Sequence, residues 1–193
     1  MAYQPIENYG VIGDTRTVAL VGKNGSIDWF CFPDFDSPSV FAKILDDQQG
    51  GHFSLTPVDD EITRRQFYWP ETNVLITRFL SPHGVAEVKD FMPITEEFSE
   101  DITRCIIRRI TMIRGSMQLR MECNPSFNYA RDNHSTELSG NGAAFHAPGL
   151  SLGLATSLDL RKRNGGVTSE FTLQEDEEIT LILREIDPGE ACG

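Results

Sequence analysis

The chain has 193 residues, 39% of them hydrophobic, and a net charge of −12 from 17 Lys and Arg against 29 Asp and Glu. That length suits one domain able to bury about 70% of its unfolded surface. The acidic balance argues against nucleic acid and anionic membrane surfaces as partners, since both attract basic patches, and no apolar run is long enough to span a bilayer.

The opening MAYQPIENYG lacks the basic and apolar regions of a signal peptide, which predicts a cytoplasmic protein. TRTVALVG and SIDWFCF then flank Lys23-Asn24-Gly25, a hairpin in which Asn24 and Gly25 both tolerate positive φ. One departure from β structure follows. Ser37 is a fair N-cap, Pro38 a fair first helical residue, and Val40, Phe41, Ile44 and Leu45 form an apolar stripe at helical spacing. A short helix near residues 38–46 is therefore predicted, ended by Gly50-Gly51. VLITRFL, Ser81-Pro-His-Gly84 and VAEVKDFM read as a second hairpin. DITRCIIRRITMI, from Asp101, is apolar on both faces, as a central strand would be. SMQLRMEC puts Met117, Leu119, Met121 and Cys123 on one side and Gln118, Arg120 and Glu122 on the other. Residues 124–149, rich in Asn, Gly and Ser, read as a long loop with short strands. VTSEFTL aligns Val167, Phe171 and Leu173, and EITLIL aligns Ile179, Leu181 and Leu183. The fold expected is mostly β, a large antiparallel two-sheet β-sandwich over residues 1–186, with residues 187–193 as the start of a linker or a truncated tail.

The chemistry-bearing residues are sparse. His52, His83, His134 and His146 stand apart, without metal-ligand spacing, so no metal is expected. No phosphate loop, dinucleotide fingerprint or nucleophile elbow is present, and no cofactor is expected. Cys31, Cys105, Cys123 and Cys192 are widely spread and read as reduced thiols. Glu96-Glu97, Asp46-Asp47 and Asp176-Glu177-Glu178 read as solvated acids. The segment GSIDWFCFPDFDSPSVF is different, because Trp29, Phe30, Phe32, Phe35 and Phe41 surround Asp28, Asp34 and Asp36. It can be a structural corner in which Asp36 or Ser37 caps a helix and Phe35 plugs the core. It can also be a sugar site, with aromatic faces stacking on a pyranose and carboxylates accepting hydrogen bonds from its hydroxyls.

IENYGVIGDTRT (residues 6–17), GSIDWFCFPDFDSPSVFA (25–42), YWPETNVLITRF (68–79) and VKDFMP (88–93) resemble the opening of bacterial glycoside hydrolase family 15 proteins, the glucoamylase, glucodextranase and trehalase-like enzymes. Weaker similarity continues through IIRRITMIRGSMQLRMECNPSFNYAR. The resemblance implies an N-terminal β-sandwich, followed in those proteins by a separate (α/α)6 barrel that carries two catalytic glutamates. Such enzymes invert at the anomeric carbon, with carboxyls ~6.5–9.5 Å apart. It therefore implies no catalytic residue in this chain, which lacks the barrel. The partners implied are that barrel and an α-glucan or trehalose substrate. Trp29 and Phe35 would supply stacking surface at the substrate-pocket rim, and Asp34 and Asp36 polar contacts. One departure stands out: the family pattern Pro-Arg-Phe-Asp-Ser has Arg where this chain has Asp34. An independent carbohydrate-binding module and a purely structural sandwich are the alternatives. The structural reading predicts an uncovered apolar face and self-association of the isolated domain.

Overall fold

A computed structural model describes residues 3–94 and 104–188. The strands in chain order are β1 (Tyr9–Gly13), β2 (Val18–Gly22), β3 (Ser26–Cys31), β4 (Ser39–Phe41), β5 (His52–Pro57), β6 (Thr63–Tyr68), β7 (Leu75–Ser81), β8 (Gly84–Phe91) and β9 (Cys105–Asn124). After a single helical turn, α1 (Phe127–Ala130), come β10 (Ser135–Ser139), β11 (Gly142–Ala147), β12 (Leu150–Ala155), β13 (Arg161–Arg163), β14 (Gly166–Gln174) and β15 (Glu178–Glu185). All pairings are antiparallel.

The organising element is β9, whose 20 residues serve two sheets. Its first half pairs with β8 and β15, in the order β6-β7-β8-β9-β15-β12-β11-β10. Its second half pairs with β5 and β14, in the order β1-β2-β3-β5-β9-β14-β13, with β4 added on β3. The change of sheet falls at Gly115, whose φ is +72° and where a Cβ would stand 2.1 Å from the His83 carbonyl oxygen. Only glycine fits that bend. The two sheets share one core, in which Ile12, Phe41, Phe53 and Leu119 of one meet Phe79, Ile110, Phe145 and Leu181 of the other. In β8, β9 and β15 the buried residues largely alternate with more exposed ones, which is the period-two pattern read from the sequence.

Inside this core lies an ion pair. Arg108 and Asp90 are both 0% exposed, with Arg108 Nε 2.8 Å from Asp90 Oδ1. Arg108 also donates to the carbonyls of Phe53 (2.5 Å) and Gly25 (2.8 Å), and its guanidinium lies 4.8 Å from the centroid of the Phe53 ring. A side chain from one sheet thus satisfies carbonyls of the other. That gives its charge the hydrogen bonds that burial demands.

The sides of the sandwich are laced shut. Along the β1 edge, Tyr68 Oη accepts from the Val11 N–H and donates to the Val11 carbonyl, each at 2.9 Å, and Asn73 Nδ2 donates to the Gly13 carbonyl at 3.2 Å. At the opposite side, His134 Nε2 is 2.8 Å from the Gly165 carbonyl, and the Thr136 hydroxyl also donates to it.

Several expectations change. Residues 38–46 hold no helix: Ser39–Phe41 is strand β4, paired with β3, and turns follow. Val40 and Phe41 are buried at 1% and 0%, with Phe41 6.2 Å from Phe30. Pairing with β3 uses the backbone groups that a helix would need, and the Ile44 N–H goes to the Asp28 carbonyl. The Ala42 carbonyl accepts from Leu45 and Asp46, which closes a turn where the stripe suggested helix. Phe32, 4% exposed, is the ring that enters the core, whereas Phe35, which would plug the core in the structural reading of this corner, is 72% exposed. Residues 124–149 are more regular than expected, since β10 and β11 form a hairpin there. Both hairpins read from the sequence are present. At the first, only Gly25 takes a positive φ, +84°, in a three-residue loop. The pair Glu96-Glu97 and Cys192 lie outside the described residues.

Candidate functional site

Strands β1 to β3 carry apolar side chains on both faces. Ile12, Ala19, Val21, Ile27 and Phe30 face inward and are buried. On the outward side, Val11 lies opposite Leu20 and Leu20 opposite Trp29. Val11 and Val18 there are 45% and 42% exposed, and Leu20 and Trp29 are half-buried. A sheet face turned to water would alternate to polar at these positions.

The register slips between β2 and β3 at Leu20/Val21, where Asp28 is the extra residue. Asp28 is 3% exposed and accepts from Ser26 Oγ (2.5 Å) and Tyr9 Oη (2.7 Å). Burial, together with the Asp28 carboxylate, raises the Tyr9 hydroxyl above its ordinary 10.0, so it remains a donor across the physiological range. This bulge sets the direction of Trp29, the next residue.

The ring facing Trp29 is Tyr129, at 6.5 Å between centroids and 47° between planes. Tyr129 belongs to α1, where Asn128, Tyr129 and Ala130 have φ of 51°, 57° and 62°. Three successive non-glycine residues in the left-handed region cost roughly 1–2 kcal/mol each. The turn is anchored by Phe127, 3% exposed, and by Ser126, whose N–H donates to the Val40 carbonyl and whose hydroxyl donates to the Gln49 carbonyl. Arg131 lies over the Tyr129 ring, 5.9 Å from its centroid. Burial raises the Cys31 thiol, and a hydrogen bond with Tyr129 opposes that shift.

Of the residues predicted for a rim, Trp29 is on this outward face. Asp34, Phe35 and Asp36 sit on the following turn, which opens at a cis Phe32–Pro33 bond. The turn is closed by the Asp34 N–H to Ser37 Oγ (3.2 Å) and the Ser37 N–H to the Asp34 carbonyl (3.0 Å). The Phe35 N–H donates to the Arg16 carbonyl at 3.0 Å, which docks the turn on the β1–β2 loop. Asp34 is half-buried, and Phe35 and Asp36 are exposed. Tyr129 and Arg131 were not singled out from the sequence. Their only local signal is Asn128, a residue that tolerates the left-handed region.

Farther across the same sheet the outward face becomes charged. Glu122 pairs with Arg163 at 3.1 Å and lies 3.6 Å from His52, and Arg120 pairs with Glu170 at 2.7 Å. The hydrogen bond from His52 holds the Glu122 carboxyl below its ordinary 4.5, with Arg163 and Arg120 adding to the effect and burial opposing it. Among the described residues, no group of three or more His, Cys, Asp or Glu side chains converges as a metal centre would require. No described helix is long and apolar enough to cross a membrane.

Residues 1–156 match the family model described as trehalase-like, N-terminal. The trehalase of Thermoplasma volcanium is 34% identical over 174 residues, 89% of this chain and 28% of that protein. Trehalase 1 of Sulfolobus acidocaldarius is 47% identical over 120 residues, 62% of this chain and 19% of that protein. The trehalase of Mycobacterium tuberculosis is 29% identical over 143 residues, 67% and 21% of the two chains. This chain thus spans less than a third of the length of these relatives. A 4-alpha-glucanotransferase from Thermococcus litoralis aligns at a TM-score of 0.43 and 11% identity, too distant a likeness to carry weight.

Proposed function

The chain belongs to the trehalase-like, N-terminal family, and from that premise we propose that it is the non-catalytic sandwich of an inverting α-glucosidic glycoside hydrolase. In this reading residues 1–186 form the domain, 187–193 begin a linker, and a separate (α/α)6 barrel of the same cytoplasmic protein supplies both catalytic carboxyls. The sandwich supports that barrel. Trp29, Asp34, Phe35 and Asp36 line the rim of its pocket, and the substrate is trehalose or an α-glucan.

The observation that carries this reading is the second apolar face. Val11, Val18, Leu20, Trp29 and Tyr129 present a stripe on the side of the sheet away from the core. Such a face on an otherwise acidic chain calls for a covering partner. The relatives supply the reason for placing that partner in the same polypeptide, since each is more than three times as long as the part that matches.

The test is glucose release from trehalose and from maltotriose, measured for the 193-residue chain and for the longest polypeptide its gene encodes. Activity confined to the longer form is expected. Turnover by the short chain alone would overturn the assignment of catalysis to a separate domain. In the longer form, Trp29→Ala and Asp36→Ala should raise KM or lower kcat. Unchanged kinetics with lowered stability would make these residues structural only.

A further inference from the structure

We propose that Tyr129, Trp29 and Arg131 form a binding platform for a glucopyranosyl unit on the sandwich itself. The proposal rests on the rim reading above and adds to it two residues from a different segment of the chain.

Three observations converge on this spot. The first is the backbone. Tyr129 is held left-handed between left-handed Asn128 and Ala130, although neither a tyrosine nor an alanine favours that region. Backbone strain of this kind persists where surrounding structure enforces it, and it collects at ligand clamps. Phe127, Ser126 and the Arg131 N–H, which donates to the Phe127 carbonyl at 3.2 Å, do the enforcing. The second is the display of the ring. Trp29 lies beside Tyr129, 6.5 Å between centroids and 47° between planes, yet Tyr129 is still 43% exposed. An aromatic face carries negative potential that suits the weakly positive C–H face of a pyranose. The third is Arg131, an exposed guanidinium 5.9 Å from the Tyr129 ring centroid. It carries five N–H donors in a fixed fork, suited to sugar hydroxyl oxygens at the margin of the ring.

The experiment uses the 193-residue chain carrying Trp69→Phe, which leaves Trp29 as the sole tryptophan. Its emission is followed during titration with trehalose, with glycerol at equal concentration as control. A saturable change with trehalose and none with glycerol is expected. Tyr129→Phe should preserve it, because the ring face remains, and Arg131→Ala should weaken it. Tyr129→Gly should weaken it by about tenfold or more. Glycine occupies the left-handed region without penalty, so that variant keeps the turn while removing the ring, and thermal unfolding checks that it folds. No saturable response, or one that persists unchanged in Tyr129→Gly, would overturn the platform. A platform that serves only to seat another domain gives that negative result. The rim reading is judged separately, by KM and kcat of the longer polypeptide, so the two can fail independently.

Discussion

Arg108 shows how one residue can join two layers. Its charge is answered by Asp90, and its remaining donors reach Phe53 and Gly25 on the opposite sheet. Removing one member of a buried ion pair strands the other, at a typical cost of about 3–5 kcal/mol. Asp90→Asn and Arg108→Met should each lower the urea midpoint sharply. Arg108→Met leaves the Phe53 and Gly25 carbonyls without these donors as well, so it should be the worse of the two. A midpoint unchanged in Arg108→Met would mean that the pair contributes nothing net. Gly25 belongs to the same junction, since a Cβ there would stand 2.3 Å from the Leu55 carbonyl oxygen. The turn glycine read from the sequence is therefore also a packing requirement.

At the level of elements, the sheet edges are the vulnerable places, because an open edge offers unpaired N–H and C=O groups to another chain. Here β1 is closed by a side chain from the other sheet, with the Tyr68 hydroxyl serving both polar groups of Val11. Tyr68→Phe removes both bonds and keeps the ring. At roughly 0.5–1.5 kcal/mol per hydrogen bond, a modest loss of stability follows. The more telling readout is sedimentation, where the variant should show concentration-dependent association beyond that of the parent chain. An unchanged sedimentation profile would show that the hydroxyl does not guard the edge. The stretch at 38–46 carries a related lesson. Its stripe of Val40, Phe41, Ile44 and Leu45 satisfies helical spacing, but Ser39–Phe41 joins β3 as a strand.

For the whole molecule, the decisive feature is that β9 belongs to both sheets. Neither half of the sandwich can lose its packing without disturbing a strand that the other half uses. Met112 lies on the part of β9 paired with β8, and Leu119 on the part paired with β5 and β14, and both are buried. Met112→Ala and Leu119→Ala should each cost about 2–5 kcal/mol. Each should shift a single transition, seen alike by tryptophan emission and far-ultraviolet circular dichroism. Two separated transitions would show that the sheets unfold independently. The outward apolar stripe on β1 to β3 is also a property at this scale, and in the proposed reading Val11, Val18 and Leu20 are the part of it that a larger polypeptide covers.

Alternation of apolar and polar side chains was enough to identify most strands, because that period is local and survives whatever the strand pairs with. The two hairpins were legible for the same reason, through turn residues at short range. Within GSIDWFCFPDFDSPSVF the sequence determined that aromatic and acidic groups would gather, but not which of them would be buried. Phe32 and Asp28 are buried while Phe35 and Asp36 stay exposed, a partition set by the bulge at Asp28 and the turn docked on Arg16. The pairing of Trp29 with Tyr129 joins residues 100 positions apart. Local spacing has no access to that distance. Only closure of the sandwich, which brings α1 against β4 beside β3, decides that the two rings meet.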